Sequence, residues 1–175
     1  MQLRPDISIH AMIKSLTDAV LPAVDPNNKL ALEQLQLTIG LLSVMEQRMP
    51  LEFKFDCDEL DRLLVFAAEL KRHAKGGDTL ADVAASEIMA ADVRRRAQAS
   101  PAEIVEAIHA LRATTGALVA SAYREGSPEQ RAAIMKTVLS MSGQQLLRDR
   151  AWVMPQGWEA QPELVPPIAD LLAAT

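Results

Sequence analysis

Apolar residues recur three and four positions apart along most of this chain, and this spacing allows little other than helices. The clearest run lies between residues 104 and 122, where mostly apolar positions alternate in steps of four and three. Because an α-helix turns once every 3.6 residues, these positions share one face. Aromatic residues make up only 3% of the chain, and the alternating runs of β-branched and aromatic residues that a sheet requires are scarce. The sequence therefore predicts an all-α protein.

Local start and stop signals divide this pattern into helices. Ser100-Pro101-Ala102-Glu103 and Ser127-Pro128-Glu129-Gln130 are both typical of a capped helix N-terminus. A length of 175 residues suits one domain, and short connections favour antiparallel neighbours. We therefore expect a single-domain bundle of five or six mostly antiparallel helices over residues 1–150. A proline-rich C-terminal segment, 151–175, would pack on the bundle or on a partner subunit.

The second predicted helix begins at Asp25-Pro26, ends at about Met49 and carries two apolar stripes. Two stripes indicate a helix buried on most of its circumference, so we expect it at the centre of the bundle. After it, residues 51–55 alternate apolar and charged, which predicts an extended connection before a third helix that begins near Asp56 and closes at Gly76-Gly77. The first stripe contains Leu32, Leu35, Ile39 and Leu42, and the second contains Leu30, Leu37, Leu41 and Val44.

Charge and composition exclude several classes of partner. The net charge of −5 is spread along the chain, whereas nucleic-acid binding needs a concentrated positive field. The one basic run, residues 94–96, is interpreted either as a solvated helix face or as a helix C-terminus, where the helix dipole favours positive charge. The uncharged run 34–45 is too short to span a bilayer. With a single cysteine and no signal-peptide pattern, we expect a cytoplasmic protein that binds neither membrane nor nucleic acid.

Two groups of residues resemble metal ligands without completing a site. Glu106 and His109 form the Glu-x-x-His spacing of di-metal helical sites, but no second copy of this motif occurs. In an acidic cluster, Asp61 stands at the sixth position, where a calcium loop requires glycine. Apolar residues at helical spacing follow this cluster. Negative charge at a helix N-terminus explains the cluster, so we expect no metal. The cluster comprises Asp56, Asp58, Glu59 and Asp61.

No motif in the chain predicts catalysis. Cys57 lies at a predicted helix N-terminus, which can lower a thiol pKa, but the neighbouring carboxylates act in the opposite direction. A phosphate-binding glycine loop and a Gly-x-Ser-x-Gly elbow are both absent from the sequence. These absences favour a protein that is not an enzyme, although a helical enzyme can scatter its catalytic residues, and we expect no cofactor. We identify no catalytic residue and no ligand-binding residue.

The C-terminal segment concentrates large apolar side chains among prolines. Trp152, Met154 and Trp158 would form an unfavourable patch if they were left in water. Two interpretations stay open. These side chains either lie back across the bundle, or they contact a second copy or another protein, where Trp and Met are enriched.

The opening of the chain resembles a small bacterial helical family of unknown function. The resemblance rests on Arg4-Pro5-Asp6, on a helix that leads into Val20-Leu21-Pro22, and on a second long helix from Lys29 to Leu42. It covers about the first 75 residues, and the pattern departs after Pro50. Members of that family occur fused to, or encoded beside, kinases resembling aminoglycoside phosphotransferases and enzymes resembling acyl-CoA dehydrogenases. The resemblance implies a bacterial accessory protein with such a partner, and it supplies no catalytic residue.

These observations favour a non-catalytic interaction or accessory module, either a homodimer or a subunit of a larger assembly. The alternative is a binding protein or an enzyme that holds a small apolar or acyl-CoA-related ligand in a pocket between its helices. Methionines could line such a pocket, although they more often fill a core. The methionines considered are Met12, Met45, Met49, Met89, Met135 and Met141.

Overall fold

A computed structural model describes residues 4–74 and 77–173, and every regular element in those ranges is helical. The predicted all-α class is confirmed. Six helices of 11 to 26 residues and a short seventh follow one another, with no strand in the described ranges. They are α1 (Pro5–Ser15), α2 (Lys29–Arg48), α3 (Glu52–His73), α4 (Asp78–Arg95), α5 (Pro101–Glu125), α6 (Pro128–Val153) and α7 (Ile168–Ala173).

The chain contacts divide into two compact units. Unit 1 comprises Met1–Glu52 with Arg148–Ile168, and unit 2 comprises Phe53–Leu147 with Ala169–Thr175. The sequence predicted a different division, with a boundary after residue 150. In the structure α6 continues through that boundary to Val153.

The apolar core of unit 2 is built around α5. Its 104–122 stripe is buried throughout, and α4 packs along it. Leucines of α3 complete the core, of which Leu60 and Leu70 are fully buried. Ser100 begins α5 with the predicted capping box: its hydroxyl accepts from the amide of Glu103, whose side chain accepts from the amide of Ser100. Ser127 similarly accepts from the amide of Gln130 at the start of α6.

The expectation that the second helix lies at the centre is wrong. Val44 is the only buried residue recorded for α2, and most of the second stripe is open to water. The start of α2 also differs from the prediction. Asn28, not Asp25, caps the helix by accepting from the amide of Ala31, while Asp25 accepts from the amide of Asn27 in the preceding turn.

The predicted extended connection over residues 51–55 is helical. Pro50 interrupts α2, but Met49–Leu51 form a 3₁₀ turn that leads directly into α3 at Glu52. A proline is tolerated in the first turn of a helix, where its missing N–H leaves no hydrogen bond unmade. At the other end of α3, Gly77 has a positive φ of 100°, whereas Gly76 lies outside the described residues.

Pro22 neither ends nor sharply breaks the first helix. Leu16–Val20 widen into a π-helical turn, in which the Leu21 amide donates to the Leu16 carbonyl five residues back, and helical residues continue to Ala23. A proline ring normally clashes with the carbonyl four residues earlier. The wider turn relieves that clash and keeps the chain helical up to the loop before α2.

Candidate interaction surface

The outer stripe of α2 consists of Leu30, Leu37, Leu41 and Met45, which are 46% to 68% exposed. Their spacings of seven, four and four residues place them along one side of the helix. Gln34 falls on the same line between the first two leucines and is also exposed. Three of these apolar residues belong to the sequence-predicted second stripe, whose fourth member, Val44, is buried.

The opposite side of α2 faces α1 within unit 1. Leu32, Leu35, Ile39 and Leu42 are half-buried there, and α1 packs on this helix. Glu46 continues the same line one turn later, and its Oε1 lies 2.8 Å from Nδ1 of His10 on α1. The inner stripe therefore already has its partner, whereas the outer stripe lies roughly half a turn away from it.

Arg48 lies seven residues after Leu41 on the same face of α2, so it marks the C-terminal end of the outer stripe. Its Nε donates to the carbonyl of Trp152 at 2.8 Å and its Nη2 to that of Ala151 at 3.0 Å. The guanidinium also stacks 5.5 Å from the centre of the Trp152 ring. These carbonyls belong to the last turn of α6, where the helix itself provides no donors. Residues 151–152 thus cover one end of the outer stripe, and the rest of the stripe stays open.

Trp158 is the most exposed large apolar residue of the described chain, at 74%, and the backbone on both sides of it is fixed. Before it, Gly157 adopts the left-handed conformation with φ 75°, which glycine accepts without the usual cost. After it, Glu159 accepts two hydrogen bonds from Arg150, at 2.8 and 2.9 Å. This pairing is the main reason that the pKa of Glu159 is lowered to about 2. The turn therefore holds the indole in solvent.

The structure thus separates the three residues that the sequence grouped as partner contacts. Trp152 lies within α6, which extends into the predicted C-terminal segment, and it packs against Arg48. Met154 is half-buried in the 3₁₀ turn Met154–Gln156, which contacts α2. Only Trp158 is presented to solvent. Trp152 and Met154 cover α2 within the same chain, and Trp158 remains the candidate for contact with another molecule.

The candidate metal ligands do not converge. Glu106 and His109 are both exposed on α5. In the acidic cluster, Asp58 accepts from Arg62 at 2.9 Å, and Glu59 forms an ion pair with Arg112. Asp61 accepts from Arg94 near the end of α4. Within residues 4–74 and 77–173, no three His, Cys, Asp or Glu side chains are grouped closely enough to hold a metal ion.

Cys57 lies in a setting that disfavours the thiolate. Burial raises the pKa of its thiol, and the opposing effect of Arg94 is countered by Asp61 and Asp56, which raise that pKa further. A nucleophilic cysteine requires the reverse arrangement, with an electropositive and accessible thiol. The geometry therefore gives Cys57 no activation.

Unit 2 contains an open groove of about 760 Å³ between α3 and α6. Its apolar lining comes from Val65 and Phe66 on α3 and from Ala133 and Met141 on α6. Of the six methionines considered from the sequence, Met141 alone lines this groove. The sequence did not predict which helices line this groove, because it depends on two helices separated by more than 50 residues of chain.

None of the helices in the described ranges has a segment long and apolar enough to cross a membrane. Comparison of the chain with protein-family models, with curated proteins and with solved structures finds no match.

Proposed function

We propose that this chain is a non-catalytic interaction module that associates with a second copy of itself through the outer stripe of α2. One observation carries the proposal: four large apolar side chains stand half to two-thirds exposed along one face of α2. Water contact along such a mostly apolar face is unfavourable, and exposed apolar patches mark interaction sites.

The charge pattern favours a second copy as the occupant. No charged residue occurs between Gln34 and Met45, so two copies of this face meet without like-charge repulsion. A membrane surface would instead be bound by a helix rich in lysine and arginine. The basic residues of α2 are Lys29 and Arg48, and Arg48 is already bonded to the end of α6.

Gln34 supplies specificity within the stripe. Its side-chain amide both donates and accepts hydrogen bonds, so it can pair with the same residue of a second copy. A single polar residue in an apolar helix seam fixes register at some cost in stability, as in coiled coils. Twofold pairing of this kind also closes the assembly at two subunits, the commonest symmetric form.

The size of the stripe sets the expected strength. From Leu30 to Met45 it extends roughly 22 Å at 1.5 Å per residue. One helix face of that length buries less than the roughly 800 Å² per partner of a standard interface. We therefore expect a weak dimer whose mass depends on protein concentration, with Trp158 of the same unit as a further contact.

A larger assembly is the other form of this proposal. The resemblance of the first 75 residues implies a cytoplasmic bacterial setting and a kinase-like or acyl-CoA dehydrogenase-like partner. Such a partner would use the same stripe, because the inner face of α2 is covered by α1.

The test is sedimentation velocity of the full chain over a wide range of concentrations. We expect the wild type to shift from monomer to dimer, and Leu37→Glu and Leu41→Glu to stay monomeric with unchanged helical circular dichroism. Gln36→Glu and Gln47→Glu are matched controls, because they add the same charge to other exposed positions of α2 and should leave the dimer intact. A wild type that remains monomeric throughout, or stripe variants that dimerise normally, would contradict the proposal.

A further inference from the structure

We infer that the groove between α3 and α6 is a binding site for an elongated anionic amphiphile, meaning a single apolar chain with one negatively charged head group. This site lies within unit 2 and does not depend on the outer stripe of α2, which belongs to unit 1. Its volume of about 760 Å³ falls in the range of small-molecule sites, roughly 300–1,000 Å³.

The shape of the groove suits a chain rather than a compact molecule. Arg62 donates to Gln144 at 3.2 Å at one end, while His73 and Ala133 line the other end. The two helices therefore run in opposite directions along the groove. The eleven residue-to-residue steps from Arg62 to His73 give it a length of roughly 16 Å at 1.5 Å per residue.

The walls between these ends offer apolar contacts that are continuous with the core. Phe66 and Met141 pack against the buried core and also line the groove. Val65 lines it while remaining 66% exposed. A bound chain would remove these surfaces from water, and the flexible thioether of Met141 can adapt to it.

The charges along the groove select an anion. Each carboxylate that lines it has an arginine partner: Asp61 accepts from Arg94 at 2.8 Å, and Glu69 from Arg72 at 2.7 Å. Arg62 is likewise matched by Asp58. Lys136 lines the groove and forms no ion pair within the described residues, which leaves one uncompensated positive charge. Because Lys136 lies nearer the His73 end, the head group would bind there and the chain would extend towards Gln144.

The probe is decanoate, added to the full chain and measured by isothermal titration calorimetry. Decanol has the same chain without charge, and decyltrimethylammonium has the opposite charge. We expect decanoate to bind most tightly and decyltrimethylammonium most weakly. The inference is overturned if decanoate does not bind, or if decyltrimethylammonium binds as tightly as decanoate.

Two groove variants localise the site. Val65→Asp introduces a charge into the apolar wall and should weaken decanoate binding about tenfold or more. Ser140→Trp fills the groove from an exposed position of α6 and should abolish binding, so a folding defect in one variant leaves the other informative. Ile88→Asp is the matched control, because Ile88 is 71% exposed on α4 outside the groove and this change should leave binding intact.

Lys136→Gln tests the head group. We expect decanoate to bind about fivefold more weakly, as for the loss of one exposed ion pair, while decanol binding stays the same. Lys54→Gln removes an exposed lysine of α3 outside the groove and should change the affinity for neither decanoate nor decanol.

Unchanged affinity for decanoate in both Val65→Asp and Ser140→Trp would overturn the inference. So would a loss of dimer mass in Val65→Asp with decanoate binding intact, because that result would assign the groove to a second copy.

Discussion

Helices α2 and α5 both carry apolar stripes at helical spacing, yet the outer stripe of α2 is open to water and the stripe of α5 is buried. In α5 the residues from Ile104 to Ala122 lie inside the core of unit 2. In α2 the inner stripe meets α1, while Leu30, Leu37 and Leu41 face solvent. Periodicity thus establishes that a segment is helical, whereas the neighbours available in the same chain decide whether its apolar face is covered.

The two helices also belong to units that are held together differently. Unit 2 has a continuous core of buried Leu, Ile and Val side chains. Unit 1 has a few buried apolar residues and several long-range polar links, among them Arg48 to the end of α6, Arg150 to Glu159, and His10 to Glu46. Its stability should therefore respond more to loss of a charged side chain than to loss of an exposed leucine.

The largest expected effect comes from the same truncation made in each helix. Leu111→Ala in α5 removes a fully buried side chain and should lower the free energy of unfolding by about 2–5 kcal/mol. Leu41→Ala in α2 removes a side chain that is 56% exposed and should change the stability of the monomer by about 0.5 kcal/mol or less. Urea unfolding at low protein concentration measures both. Equal losses would mean that the outer stripe of α2 is covered within the monomer.

An intermediate effect is expected from the link that covers the end of the outer stripe. Arg48→Ala leaves the Ala151 and Trp152 carbonyls without their donor and should lower the free energy of unfolding by about 1–3 kcal/mol. In a Trp158→Phe background, Trp152 fluorescence should shift to the red as its ring becomes exposed. Arg131→Ala is the control, because Arg131 makes a similar stack, 5.8 Å from Tyr123, on the surface of unit 2. A larger loss in the control would contradict the view that unit 1 depends on this link.

The smallest effect is a dependence on pH in the segment that presents Trp158. The pKa of Glu159 is lowered from 4.5 to about 2, mainly by its hydrogen bonds with Arg150. The stabilisation of the folded state by the Glu159 carboxylate is therefore fully present above about pH 4.5 and is lost as the pH falls towards about 2. Unfolding of wild type and Glu159→Gln should differ above this window and converge below it. Parallel curves for wild type and Glu159→Gln would refute the assignment.

Local signals account for the parts of the fold that the sequence predicted correctly. The Ser100 capping box and the start at Ser127 depend on groups within four residues of one another, so the sequence contains all of their partners. The stripe of α5 was predicted as one face and is buried as one face. By contrast, the extended assignment of residues 51–55 was wrong, because Pro50 suits the first turn of a new helix as well as the end of an old one.

Long-range pairing explains what the sequence did not predict about the candidate sites. The exposure of the α2 outer stripe depends on which faces α1 and the end of α6 occupy, and apolar residues look alike whether a core or a partner covers them. The α3–α6 groove depends on the approach of Arg62 to Gln144, 82 residues apart. A local signal did exist for Trp158, since Gly157 immediately before it is typical of a turn that redirects the chain.

The hydrogen bond from Arg48 to Trp152 joins residues 104 positions apart, and this separation matters during protein synthesis. At translation rates of about 5–20 residues per second, residue 152 is made roughly 5 to 20 seconds after residue 48. The α1–α2 hairpin leaves the ribosome with neither its covering segment nor a partner copy in place. For that interval the outer stripe is accessible up to Arg48, so chaperones or a nascent neighbouring chain would meet this hairpin first.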